Sequence, residues 1–247
     1  MTVRAVLFDF DFTLGDSADA IVHCSRAAFG DMGLDPAAPA AIRRTIGLTL
    51  QASFRVLTGE PSAERAEDYR RCYVAHADQV MTAMTSVYPP AAAVLATVRS
   101  RGLATAIVST KYRYRIESIL ASAGLTGAVD VIVGGEDVAQ HKPHPEGLQR
   151  ALAGLGVASH AAVYVGDHPV DGHAARDADV RYVRVLSGEH FDDEQWTGIA
   201  PVATIPDIGS LPATLDVLNG EGHLRCGCVV NSQANPAGRG PPSTPRA

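Results

Sequence analysis

Asp9 and Asp11 stand two residues apart, directly after the nearly unbroken apolar run of residues 3–8. Such a run reads as a short strand buried on both faces of a parallel sheet. Two carboxylates at the end of a buried strand are costly unless a cation meets them. The carboxyl ends of strands are also where open α/β sheets carry their sites. Three further groups share that placement. Ser109, Thr110 and Lys111 follow a second apolar run. His141, Lys142, Pro143 and His144 come before a helix that opens on Pro145. Gly166, Asp167, His168, Pro169, Val170 and Asp171 follow another run. Singly, each has an ordinary reading: a serine after a strand turns the chain, a lone lysine faces water, and Asp171 caps a helix. Together they supply three or four carboxylates, a hydroxyl and an ammonium.

That inventory suits phosphoryl transfer. Carboxylates without Cys or imidazole partners prefer a hard cation such as Mg2+, held with waters and substrate phosphate. The cation offsets repulsion between an anionic nucleophile and an anionic phosphate. One carboxylate can attack phosphorus and form an aspartyl-phosphate, which water then breaks. A second can give a proton to the leaving alcohol and later take one from that water. Ser109 and Lys142 suit the non-bridging oxygens, where charge must be stabilised.

The elements that position these residues follow from the pattern around them. Residues 17–32 read as a helix capped by Ser17 and stopped by Gly33. Residues 39–57 and 62–85 read as helices, and no strand is evident between 16 and 86. From Tyr88-Pro89-Pro90 onward, strands and helices alternate. Helices are expected at 91–101, 111–123, 145–155 and 170–178, and strands at 104–109, 129–133, 161–165 and, last, 181–186. This alternation predicts an α/β fold, a Rossmann-like parallel sheet covered by helices. The expected division is a core domain of residues 1–15 and 87–220 with an inserted all-helical cap domain of residues 16–86. Residues 221–247, rich in Gly, Pro, Ser and Asn, read as a disordered tail. Cys226 and Cys228 in that tail lack the second pair a zinc site uses.

Composition narrows the function further. The chain has 247 residues, 46% hydrophobic and 19% charged, with a net charge of −6. No basic run with interleaved aromatics suggests a nucleic-acid partner. No apolar stretch approaches the ~18–20 residues of a membrane span. A core strand at residues 3–8 is not a cleaved leader. Cys24, Cys72, Cys226 and Cys228 show no disulfide-framework spacing, so a reducing cytoplasm is the expected compartment. A monomer or homodimer acting on a small phosphorylated metabolite is expected.

DFDFTLGDS (residues 9–17), IVSTK (107–111), HKPHP (141–145) and GDHPVD (166–171), in this order, resemble the four motifs of the haloacid dehalogenase-like hydrolase superfamily. The match is closest to its phosphoglycolate phosphatase-like branch, which has a helical cap after the first motif. The resemblance implies Asp9 as nucleophile and Asp11 as general acid and base. It implies Ser109 on the phosphate and Lys142 orienting nucleophile and phosphate. Mg2+ would take the Asp9 and Asp167 carboxylates and the Asp11 backbone carbonyl, with Asp171 supporting them or reaching the metal through water. Thr13 fits the first motif as a structural hydroxyl. Phe12 stands where many relatives have Gly, and Thr110 where Asn is frequent. An Asp at position 11 fits phosphatases and phosphomutases rather than the dehalogenases, which attack carbon. A phosphomutase resembling β-phosphoglucomutase is the alternative. An inactive fold kept as a binding module is a third reading, opposed by the intact Asp9, Asp11, Lys142 and Asp167.

The cap is expected to choose the substrate. Related caps place a substrate-facing turn near residues 43–49, where Gly47 allows close approach. Arg43 or Arg44 there can pair a substrate carboxylate, or both can be solvated. Thr110, Lys111, Tyr112 and Arg113 can face the leaving group. VSTKYRYRI (108–116) resembles phosphatases associated with aminohydroxybenzoate (ansamycin precursor) pathways, so phosphoglycolate and a sugar phosphate are not the only candidates. His141, His144, His168 and His173 lack zinc spacing and read as turn or surface residues.

Overall fold

The structure, a computed structural model, describes residues 2–220; the tail expected at 221–247, with Cys226 and Cys228, lies outside the described residues. Its centre is a six-stranded parallel sheet in the order β5-β4-β1-β6-β7-β8. The strands are β1 (Ala5–Phe8), β4 (Ala104–Val108), β5 (Val131–Val133), β6 (Ala162–Gly166), β7 (Arg181–Val185) and β8 (Ala203–Ile205). β1 is apolar throughout because both its faces are covered. Val6 and Phe8 join one core with Ile107, Val163 and Val183. Ala5 and Leu7 join the other with Ala106, Tyr164 and Tyr182. α5 (Pro89–Ser100), α6 (Arg113–Ser122) and α9 (Leu211–Leu218) pack on the first face. α7 (Glu146–Leu155) and α8 (Pro169–Asp177) pack on the second. The strand order reverses at β1, flanked by β4 and β6. Parallel sheets open a crevice at the carboxyl side of such a reversal.

A helical layer follows β1: α1 (Ala18–Asp31), α2 (Pro39–Arg43), α3 (Leu50–Thr58) and α4 (Ala63–Val80). Its interior is aromatic. Phe29, Phe54 and Tyr69 pack with centroids 5.4–6.3 Å apart. The Tyr69 hydroxyl shares a 2.7 Å hydrogen bond with Ser25. The chain leaves and re-enters the sheet region through a short antiparallel ribbon, β2 (Gly15–Asp16) against β3 (Ser86–Val87). Gly15 is required there, since a Cβ would lie 2.8 Å from the Ser86 carbonyl oxygen.

Several local expectations are corrected. Residues 39–57 do not form one helix. The chain turns at Arg44–Thr49, and the Thr49 hydroxyl caps α3 by accepting from Ala52 N at 3.2 Å. Ser17 is the N-cap residue of α1 but makes no capping hydrogen bond: Asp16 Oδ1 accepts from Ala18 N at 2.8 Å instead, and the Ser17 hydroxyl receives that of Thr85. α4 ends at Val80, not at 85, and Pro145 precedes α7 rather than lying in its first turn. β7 is not the last strand: β8 extends the sheet beyond it. Among the described residues no helix is long and apolar enough to cross a membrane.

The aromatic interior yields a stability prediction. Phe54 is fully buried, and truncating a buried phenylalanine costs about 3–5 kcal/mol. Phe54→Ala should lower the unfolding free energy by about that amount in urea titration. A loss below about 1 kcal/mol would show that the helical layer does not rest on this packing.

Candidate active site

β1 delivers the first two carboxylates. The Asp9 amide still donates to the Val165 carbonyl at 2.9 Å, so this residue is fixed by the sheet. The chain then folds back, with the Leu14 amide donating to the Phe10 carbonyl at 2.9 Å. Phe12 takes a left-handed conformation, φ 58°, to make this turn. Ser109 follows β4 and Asp167 follows β6, on either side of Asp9. Asp171 lies in the first turn of α8, and Lys142 comes from the segment before α7. All of these residues are buried.

Lys142 is the hub. Its Nζ lies 2.6 Å from Asp171 Oδ1 and 3.0 Å from Asp9 Oδ1. It also donates to the Tyr164 hydroxyl at 3.1 Å, and that hydroxyl lies 2.9 Å from the Val108 carbonyl. The second oxygen of Asp171 accepts from the His168 amide at 3.0 Å. Asp167 accepts from the Thr13 hydroxyl at 3.1 Å, the structural role expected of that threonine. Asp9, Asp167 and Asp171 each place a carboxylate oxygen within 4.8 Å of the others. Among the described residues this is the one group with a metal-ligand arrangement, and the histidines contribute none.

The electrostatics follow from burial. Desolvation raises the Asp9 carboxyl above its usual range even though Lys142 opposes it. Asp167 is pushed well up by desolvation, then by Asp171 and Asp9. Burial alone would depress the Lys142 ammonium, but Asp171 and Asp9 more than offset it and hold it above its usual value. Three carboxylates around one ammonium lack two positive charges, the charge of one divalent cation. The donor set is all oxygen, and Asp9 Oδ1 makes no hydrogen bond of good geometry. These features fit Mg2+ rather than a softer ion.

Asp11 faces the other way, towards the helical layer. Its Oδ2 lies 3.3 Å from Lys111 Nζ, and its Oδ1 is buried without a partner. Desolvation raises its carboxyl, with Lys111 opposing. Between sheet edge and helical layer lies a cavity of about 60 Å3. Its polar wall includes Asp11, Gly47, Thr110 and Lys111, and its apolar wall Ile21, Ile42, Ile46 and Met81. Gly47 enters at φ 101°, where a Cβ would lie 2.9 Å from the His168 ring, and its carbonyl accepts from Thr110 Oγ1 at 3.3 Å. Arg43 and Arg44 do not line this cavity. Arg43 Nε pairs with Glu189 at 2.7 Å, with the guanidinium over the Phe12 ring, and Arg44 is exposed. The sequence reading missed Tyr164 and Glu189. Tyr164 had a signal, since a hydroxyl inside an otherwise aliphatic strand must find a partner; Glu189 had none.

Comparison with known proteins gives a consistent picture. A family profile described as haloacid dehalogenase-like hydrolase matches residues 6–185. A phosphoglycolate phosphatase of Rhodospirillum rubrum is 30% identical over 218 residues, spanning 84% of this chain and 89% of its own. Another, of Cereibacter sphaeroides, is 33% identical over 208 residues, spanning 83% and 91%. A solved Bacteroides fragilis chain assigned to the haloacid dehalogenase-like hydrolases superposes with a TM-score of 0.81 at 37% identity. That match covers 85% of this chain and 100% of the other.

The buried imidazole beside the site gives a pH prediction. Burial, then Lys142, holds His168 down at about 4. A histidine near 6.5 when unfolded binds its proton more readily in that state, so stability falls as pH drops from 6.5 towards 4. Between pH 7 and pH 4.5, the wild type should lose about 2 kcal/mol more unfolding free energy than His168→Asn. Denaturant titration at each pH measures this; equal losses would mean the ring takes its proton freely in the fold.

Proposed function

The chain belongs to the haloacid dehalogenase-like hydrolases, in their phosphoglycolate phosphatase-like branch, and we propose that it is a Mg2+-dependent hydrolase of small phosphate monoesters acting through an aspartyl-phosphate on Asp9. The observation that carries this reading is the charge balance around Lys142: three buried carboxylates, one ammonium, and a deficit of two charges at an all-oxygen site. Asp9, Asp167 and the Asp11 backbone carbonyl would hold the cation. Both oxygens of Asp171 are engaged, by Lys142 and by the His168 amide, so its part is to order Lys142. When bound there, Mg2+ would offset the repulsion between the Asp9 carboxylate and the substrate phosphate.

The steps then fall to the chain's own groups. The Asp9 carboxylate attacks phosphorus, and the bond from phosphorus to the ester oxygen breaks. Asp11, whose raised carboxyl favours the protonated form, gives its proton to that oxygen. The alcohol leaves. Asp11 next takes a proton from a water that attacks the same phosphorus, and the bond to Asp9 breaks, releasing inorganic phosphate. Ser109 and Lys142 hold the non-bridging oxygens through both steps.

The cavity supports a short leaving group. At about 60 Å3 it is less than half the volume, about 150 Å3, that accommodates a benzene ring. A two- or three-carbon group of the phosphoglycolate kind fits it better than a hexose or an aromatic ring. The test is phosphate release from a panel of monoesters. We expect release with Mg2+, none with EDTA and none from Asp9→Asn. Asp11→Asn should lower kcat by about 10²–10⁴. Release that survives both chelation and Asp9→Asn would sink the proposal.

A further inference from the structure

We infer that Lys111 is the receptor for an anionic group on the leaving half of the substrate, and so determines which phosphate esters are turned over. This rests on the phosphatase reading above. Three observations carry it. The first is position. Lys111 lines the cavity together with Asp11 and Thr110, whereas Asp9, Ser109 and Asp167 do not border it. This is the side on which a leaving group must lie if phosphorus sits at Asp9 and the departing oxygen faces Asp11.

The second is unspent bonding capacity. An ammonium carries three N–H donors, and the Lys111 side chain is 5% exposed. Around Nζ stand one carboxylate oxygen of Asp11 at 3.3 Å, the Met81 sulfur at 3.6 Å and the Phe10 ring at 5.9 Å. Only the first is a full acceptor. A buried charge so poorly matched is costly, and an arriving carboxylate would satisfy it. The other cation bordering the cavity, Arg115, is already committed to Asp78 at 2.6 Å and to the Val74 carbonyl at 3.2 Å. Arg43, one of the two arginines the sequence offered either for a substrate carboxylate or as solvated surface, pairs with Glu189 and lies outside the cavity lining.

The third is the rest of the wall. Ile21, Ile42 and Ile46 offer no hydrogen bonds, and the Thr45, Ser53 and Tyr69 hydroxyls of the lining are already bonded to the Ile42 carbonyl, the Thr45 carbonyl and Ser25, so a polyol would find few free partners there, each unpaired hydroxyl costing roughly 1–3 kcal/mol. A single anion on a short carbon chain meets Lys111 and leaves only methylene against the apolar side. The low dielectric of this wall strengthens that one pairing.

The experiment compares two esters of equal length, 2-phosphoglycolate and 2-hydroxyethyl phosphate, with Mg2+. The wild type should favour the carboxylate-bearing ester at least tenfold in kcat/KM, with most of the difference in KM. Lys111→Met meets Met81 and Phe10 with a chain of similar length. It should lower kcat/KM for phosphoglycolate at least tenfold more than for 2-hydroxyethyl phosphate, and Lys111→Arg should recover part of that preference. Equal wild-type activity on the two esters would overturn the inference, whether or not the variant folds. So would an equal loss on both in Lys111→Met, which would leave Lys111 only a support for Asp11. No phosphate release from any ester would instead overturn the phosphatase reading, and the inference with it.

Discussion

The ammonium of Lys142 is the contact on which the rest of the site depends. It gathers parts of the chain far apart in sequence: Asp9 after β1, the Val108 carbonyl through Tyr164, and Asp171 in α8. Any of these carboxylates buried alone would face a desolvation cost of several kcal/mol. The parallel order β4-β1-β6 makes the gathering possible, because it sets Val108, Asp9 and Asp167 side by side at one edge. The same arrangement leaves the cluster two positive charges short. Burial first, and the neighbouring carboxylates after it, raise the Asp9 and Asp167 carboxyls.

How far the sequence foretold this depends on what kind of interaction sets each feature. β1 was legible because burial on both faces leaves an unbroken apolar run, and Asp9, Asp11, Lys142, Asp167 and Asp171 were legible as charges at strand ends. The parallel sheet followed from alternation alone. What stayed hidden was set by tertiary pairing. Two-residue strands such as β2 and β3 have no periodicity to read, and β8, three residues long, is a strand only because β7 lies beside it. The break between α2 and α3 carried a cue in Thr49 and Gly47. The cue was outweighed because the apolar residues on both sides continue the helical pattern. The pairing of Arg43 was hidden for a different reason. Its partner, Glu189, lies 146 residues away in sequence, and no spacing rule links them.

The two layers meet over the site through residues whose backbone choices only make sense there. Phe12 accepts a left-handed conformation that costs an ordinary residue roughly 1–2 kcal/mol. It offsets this by burying its ring against Ala18 and Ile46, beneath the Arg43 guanidinium. Gly47 does the reverse, giving up a side chain so that its backbone can lie against His168 and accept from Thr110. A large residue on the sheet side and an absent one on the helix side thus interlock at the same seam. The Arg43–Glu189 pair lies at its rim, where partial exposure makes it more a matter of register than of strength.

This interlock bears on selectivity more directly than the charged cluster does. On the proposed reading the cluster meets only the phosphoryl end, so it would serve any phosphate ester. The cavity beyond Asp11 exists only because the two layers are in contact: Ile42, Ile46 and Gly47 form one wall, and Thr110 and Lys111 the other. A leaving group that holds those walls apart would keep Gly47 off His168 and admit water beside Asp9, where a dry environment strengthens each charge interaction. On the proposed reading, size would be read through contact between these walls, and charge through the Lys111 ammonium between them. A short anionic leaving group would then satisfy both conditions, whereas a larger neutral one would fail each for a separate physical reason.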